Sequence, residues 1–144
     1  MVIRYFGSKE SLFAAAVKFE LGLPDPRGIP RDEVGRWAVE FFLARWEDDD
    51  TLQALLRVGI TNEAAAARMR AIFADQLAPV VALVAPPGAD VADRAGLVAS
   101  QVLGTALTRY VLRLPPMAAM GRDELVAWIG PTLQRYLTEP SPDS

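Results

Sequence analysis

Residues 91–114, VADRAGLVASQVLGTALTRYVLRL, decide the fold of this chain. Their apolar residues cover more of the helix surface than the roughly 100° stripe of an ordinary surface helix: Leu103, Leu107, Tyr110 and Leu114 form one row, and Val98, Val102, Ala106 and Val111 widen it. A second row holds a small residue at every fourth position: Gly96, Ser100, Gly104 and Thr108. Small side chains in a row allow another helix to approach closely, or leave room for a ligand. The segment therefore predicts a long helix that is covered on both sides.

Two kinds of partner can cover the second side of that helix. A chain of 144 residues has few helices with which to cover one helix twice, so a second copy of the chain is a natural partner. The alternative is a central core helix within a monomer, and the pattern alone leaves both interpretations open.

The rest of the chain also shows helical spacing between proline and glycine breakers, and it has almost no strand signal. The predicted fold is all-α, a single-domain bundle of about six helices. Ser8, Asp50 and Asn62 are the predicted caps, Pro79 is expected to kink its helix, and Pro131 lies inside the last helix. The segment 115–121 is predicted to be a loop. The predicted helices are 8–21, 32–47, a short one after Asp50, 63–85, 91–114 and 123–137.

Composition excludes several classes of chemistry. The chain has no cysteine and no histidine, which excludes disulfides, thiolate zinc sites, a Ser-His-Asp triad and the HExxH motif. We predict no catalytic residue, no metal site and no cofactor. The net charge of −3 lacks the basic character of a nucleic-acid-binding domain. No apolar run reaches the roughly 18 residues of a membrane helix, and no signal peptide is recognised, so we expect a cytoplasmic protein without a membrane partner.

The sequence YFGSKESLF at residues 5–13 carries a family resemblance. It resembles the junction that follows the DNA-recognition helix in TetR/AcrR-type transcriptional regulators, where an aromatic pair, a turn residue, Ser-Lys-Glu, a variable position and Leu follow one another. Residues 103–137 are more loosely similar to the C-terminal effector domains of the same family.

The resemblance implies a division into three parts. Residues 1–7 would be the remnant of the recognition helix and turn, 8–138 the helical effector-binding and dimerisation domain, and 139–144 a flexible tail. Lys9 matches a lysine that contacts a DNA phosphate in the family, and Tyr5 is a second phosphate-contact candidate. Because Met1 falls inside the implied recognition helix, we expect a longer native protein, and operator DNA is a partner only if that N-terminal domain exists.

The resemblance also implies a function. We expect a ligand-responsive transcriptional regulator, with repression as the expected mode, that works as a homodimer and binds a hydrophobic or amphipathic small molecule. The alternative is a stand-alone helical dimeric sensor or interaction module without DNA binding. The candidate residues of the ligand pocket, which are equally interpretable as core residues, are Trp37, Phe41, Phe73 and Gln101. The last two long helices would form the dimer interface, through Gly104, Leu107, Val111, Trp128 and Leu133.

Overall fold

The computed structural model describes residues 8–142, and these residues are helical without a strand. The predicted all-α fold is thereby confirmed. Short 3-10 turns lie at Pro26–Gly28 and Arg31–Glu33, and π-helical turns follow two of the helices, at Phe73–Leu77 and Leu107–Val111. The helices are α1 (Lys9–Val17), α2 (Val34–Asp48), α3 (Thr51–Gly59), α4 (Glu63–Ile72), α5 (Ala78–Val84), α6 (Val91–Ala106), α7 (Pro115–Ala119) and α8 (Arg122–Thr138).

Side-chain caps begin several of these helices. The Ser8 side chain accepts a hydrogen bond from the Ser11 N–H (3.1 Å) and caps α1. Asn62 caps α4 in the same way, as the sequence predicts. At the start of α3, Asp50 occupies the cap position but makes no side-chain cap bond there, and the Asp49 carboxylate accepts from the Thr51 N–H (2.8 Å).

Three boundaries differ from the prediction. The first helix ends at Val17 and not near residue 21. The irregularity expected at Pro79 lies one turn earlier, in the π-helical turn Phe73–Leu77, because Pro79 falls in the first turn of α5, where a missing N–H costs no intrahelical bond. Residues 115–119 form α7 where a loop was predicted, since Pro115 and Pro116 also fit the first turn of a helix.

Helices α2 and α8 pack most extensively against each other. Gly35 allows this close approach because it has no Cβ. A Cβ there would lie 2.3 Å from the Gly130 carbonyl oxygen and 2.6 Å from the backbone nitrogen of Gln134, too close for either atom. The Gln134 side chain accepts a hydrogen bond from the Gly35 N–H (2.7 Å) and donates to the Arg31 carbonyl (2.7 Å). The two helices therefore form a tightly fitted pair on one side of the core.

Helix α6 has one covered side and one open side. Its covered face consists of buried residues. On the other face Gly96, Ser100 and Gly104 are exposed, and a Cβ added at Gly96 or Gly104 would meet nothing within 4 Å. Within the described chain the row of small residues is thus uncovered, so the interpretation of residues 91–114 as a fully enclosed core helix is wrong. The residues of the covered face are Ala95, Val98, Val102, Ala106 and Tyr110.

A buried arginine links the start of α6 to the end of α8. Arg94 is 6% exposed and donates to the carbonyls of Tyr136 (2.7 Å) and Glu139 (2.6 Å) and to the Ser141 hydroxyl (3.4 Å). Its positive charge lies where the carbonyls at a helix C-terminus favour a cation. Part of the predicted tail, 139–144, is therefore held against the bundle, and residues 143 and 144 lie outside the described part of the chain.

Candidate functional site

A small, partly open cavity lies between α2, α8 and α6 with its π-helical turn. Its volume is about 20 Å³, enough for one water molecule. The walls are almost wholly hydrocarbon, and none of the residues lining it is charged. It lies among side chains of three packed helices, and its apolar walls suit an apolar ligand. Its lining residues are Val39, Phe42, Leu43, Trp46, Val102, Thr105, Ala106, Tyr110, Ile129 and Leu133.

Trp46 lines this cavity and carries an unsatisfied polar group. Its side chain is 1% exposed, and within residues 8–142 no atom accepts a hydrogen bond from its indole N–H. Buried donors are nearly always paired, and an unpaired one costs about 1–3 kcal/mol. An acceptor for the Trp46 N–H must therefore come from outside residues 8–142.

Tyr110 is a second lining residue with a polar group. The Tyr110 hydroxyl donates to the Glu47 carboxylate (2.7 Å), and Arg122 lies 3.5 Å from the same carboxylate oxygen. Burial first, and then the hydrogen bond to Glu47, raise the pKa of Tyr110 well above its ordinary value of 10.0. Tyr110 thus stays a neutral hydrogen-bond donor at physiological pH and is committed to Glu47.

The π-helical turn Leu107–Val111 carries Tyr110, which lines the cavity, and Arg109, which does not. Arg109 donates to the carbonyls of Met117 (2.8 Å) and Met120 (2.6 Å) and so attaches α7 to the turn. Such turns interrupt the regular helical bonding and often lie at functional sites. The turn therefore connects a residue of the cavity wall to α7.

The segment that follows α1 is held by side chains from three other helical segments, and we call Arg45, Arg68 and Gln76 the α1 clamp. Gln76, in the first π-helical turn, accepts from the Leu21 N–H (2.5 Å) and donates to the Phe19 carbonyl (3.1 Å). Arg45 on α2 donates to the Leu21 carbonyl (3.0 Å), and its guanidinium lies 4.8 Å from the centre of the Phe19 ring. Arg68 on α4 donates to a carbonyl at the end of α1 (3.2 Å).

The four predicted pocket residues do not meet in one cavity. Trp37 and Phe41 pack against each other on α2, with ring centres 6.1 Å apart, and both are half-buried. Phe73 lines an open groove between α3, α4 and α6, and Gln101 lines another between α6 and α8. The cavity instead uses Trp46, which lies nine residues after Trp37 and therefore on the opposite side of α2; no pattern in the sequence singled it out from the other aromatic residues.

We call the surface formed by the exposed sides of α6, its π-helical turn and α8 the α6–α8 face, and it contains most of the predicted interface residues. Trp128 is 74% exposed and Gly104 is exposed, while Leu107 and Val111 are half-buried. A groove of about 540 Å³ runs along this face beside Trp128. Leu133 is different, because its side chain is fully buried in the core and lines the cavity, so it has no surface to offer a partner.

The two candidates for DNA contact are placed as follows. Lys9 is the first residue of α1 and its side chain is exposed. Tyr5, and the whole segment 1–7, lie outside the described residues. Among residues 8–142, no three acidic side chains come together to hold a metal ion, and none of the helices is long and apolar enough to cross a membrane.

Comparison with protein families gives a match over most of the chain. The model described as "Tetracyclin repressor-like, C-terminal domain" matches residues 32–137, well over half of the 144 residues. Searches of curated proteins and of solved structures give no match. The match covers α2 to α8 and so includes every residue that lines the cavity. The chain belongs to the tetracyclin repressor-like family, as a C-terminal domain of that family.

Proposed function

We propose that this chain is the effector-sensing and dimerisation part of a ligand-responsive transcriptional regulator, with a small apolar molecule bound between α2, α6 and α8. The observation that supports this proposal best is the apolar cavity lined by Trp46, whose N–H is unpaired among the described residues, in a chain of this family. A well-packed core has few such cavities, and a buried donor without an acceptor is rarer still.

The cavity is too small for a drug-sized molecule, and binding therefore requires the helices to separate. A volume of about 20 Å³ compares with the 300 Å³ or more, roughly, of ordinary ligand pockets. The closed bundle then corresponds to the ligand-free state, and a ligand stabilises an opened state. Such a ligand shifts the equilibrium only by its difference in affinity for the two states.

The α1 clamp offers a route from the cavity to α1. Arg45 and Trp46 are neighbours on α2: Trp46 lines the cavity, and Arg45 holds Leu21 and Phe19. A displacement of α2 by a ligand moves both side chains together, because they belong to one rigid helix. The segment that follows α1 then loses or changes its hydrogen bonds, and α1 itself can shift.

A homodimer through the α6–α8 face completes the proposal. The exposed Trp128 and the open row of Gly96, Ser100 and Gly104 form a surface on which a second helix pair can pack closely. Gly104, Leu107 and Val111 of α6 and its π-helical turn, with Trp128 of α8, are the interface residues we propose.

Operator recognition is the remaining part of the proposal and depends on an N-terminal DNA-reading domain. In a dimer the two α1 helices would set the spacing of two such domains, and a ligand would favour a spacing that does not fit paired half-sites. Lys9, at the exposed start of α1, and Tyr5 would contact DNA phosphates.

The test is a thermal-denaturation screen of uncharged apolar compounds on the wild-type chain and on a variant with a filled cavity. Ala106→Val adds two methyl groups to the cavity wall, while Ala92→Val makes the same change at an exposed position of the same helix. We expect compounds that raise the melting temperature of the wild type and of Ala92→Val, and not of Ala106→Val. A screen without any stabilising compound, or with equal effects in all three proteins, would refute the proposed site.

A further inference from the structure

The polar groups of the cavity wall define the chemistry of its ligand. Three lining residues carry a polar side-chain atom: Thr105, Tyr110 and Trp46. The Thr105 hydroxyl donates to the Gln101 carbonyl (2.8 Å), and the Tyr110 hydroxyl donates to Glu47. Their donor hydrogens are therefore committed within the protein. The Trp46 indole N–H is a donor without an acceptor among the described residues.

The lining residues also exclude a charged ligand. None of them is ionised, and a charge buried against hydrocarbon walls without a partner is strongly unfavourable. The wall therefore suits a neutral molecule that is mostly hydrocarbon.

The Trp46 N–H sets a further condition on such a molecule. The indole N–H is buried without an acceptor in the described bundle, and the separation of helices that binding requires would bring a ligand against it. A ligand that lies against Trp46 leaves the donor unpaired unless it brings an oxygen of its own.

From this, and resting on the proposed function, we propose that the effector is a neutral, largely hydrocarbon molecule with a single carbonyl or ether oxygen that accepts the hydrogen bond of the Trp46 indole N–H. Trp46 is then the residue that selects such molecules over plain hydrocarbons of the same shape.

The test uses two probes of nearly equal shape, acetophenone and α-methylstyrene, in which a carbonyl oxygen is replaced by a methylene group. The dissociation constants of both are measured on the 144-residue chain and on Trp46→Phe, which removes the N–H. We expect the preference for acetophenone over α-methylstyrene to fall about fivefold or more in Trp46→Phe, because leaving a buried donor unpaired costs about 1–3 kcal/mol, which is at least that factor. The ratio of the two dissociation constants is compared between the wild-type chain and Trp46→Phe, so the difference in hydrophobicity between the two probes cancels.

Trp37→Phe is the matched control, since Trp37 lies on the same helix and does not line this cavity. It is expected to keep the wild-type ratio. An unchanged ratio in Trp46→Phe, or the same fall in Trp37→Phe, would overturn the inference.

A spectroscopic readout keeps the test valid if Trp46→Phe does not fold. The chain has three tryptophans, so Trp37→Phe and Trp128→Phe assign the Trp46 indole proton by elimination. Acetophenone is expected to shift that resonance downfield and α-methylstyrene is not. If both probes bind equally well and both lose affinity for Ala106→Val, the requirement for an acceptor is overturned and the proposed site is kept. If neither probe binds, the inference is overturned, and the wider compound screen then decides the proposed function.

Discussion

At the scale of single residues, Gly35 is the glycine at which the fold has least room for a side chain. A Cβ at residue 35 would overlap the backbone of α8, 2.3 Å from the Gly130 carbonyl oxygen. We therefore expect Gly35→Ala to lower the free energy of unfolding by about 3 kcal/mol or more, as an overpacked contact against backbone that cannot move away. Gly28→Ala is the control: its Cβ meets nothing within 4 Å, and alanine in place of glycine at a compatible position should raise stability by about 0.4–1 kcal/mol. Chemical denaturation measures both, and equal effects would show that α2 and α8 are not so closely packed.

Tyr110 makes the free energy of unfolding depend on pH in the alkaline range. Because its pKa is raised in the folded chain, the folded state retains the hydroxyl proton that the unfolded chain loses above about pH 10. The contribution of Tyr110 to stability is complete below that pH and declines as the pH rises further. We expect the unfolding free energy of the wild type to fall more steeply between about pH 10 and 12 than that of Tyr110→Phe. Parallel curves for the two proteins would contradict the buried bond to Glu47.

At the scale of elements, the α1 clamp is the part that links the cavity to α1. Gln76→Ala removes the acceptor for the Leu21 N–H and the donor to the Phe19 carbonyl. Two hydrogen bonds of about 0.5–1.5 kcal/mol each stabilise this segment, so hydrogen exchange at residues 18–21 should become about tenfold faster or more. The core helices α2 and α8 should keep their protection. Asp75→Ala, at an exposed neighbour in the same turn, is the control and should leave exchange unchanged.

The elements also show what could be predicted from the sequence and what could not. Helical periodicity and capping residues predicted α2 and α8 close to their observed bounds, and also the starts of α4 and α6, since both signals act over a few neighbouring residues. Regular α-helix in the predicted segments 63–85 and 91–114 ends earlier than predicted, at Ile72 and Ala106, where π-helical turns that were not predicted begin. Proline was interpreted as a breaker at 115–116, where it instead starts α7.

The cavity was predicted less well than the helices. Trp37 and Phe41 lie on one side of α2 and Trp46 lies on the opposite side, and the packing of α6 and α8 against that opposite side places Trp46 at the cavity. Leu133 was expected at a partner interface and is a core residue, for the same reason. Periodicity identifies an apolar face, and the tertiary arrangement determines whether that face meets the core or another molecule.

At the scale of the whole molecule, the α6–α8 face predicts self-association. Sedimentation of the wild-type chain at micromolar concentration should give twice the chain mass of 15.7 kDa. Trp128→Glu places a charge at the most exposed aromatic residue of the face and should give the monomer with unchanged helical content. Leu83→Glu, at a 41% exposed position on α5, is the control and should remain dimeric. A monomeric wild type would exclude this interface.

A ligand bound between α2, α6 and α8 is proposed to alter the segment that follows α1. Hydrogen exchange of the 144-residue chain, measured by mass spectrometry with and without acetophenone, shows whether it does. We expect slower exchange at residues 39–46 and 102–110, which contain most of the lining residues, together with a changed exchange rate at residues 18–21. Protection confined to the groove around Phe73, or a cavity response that leaves residues 18–21 unaltered, would contradict it.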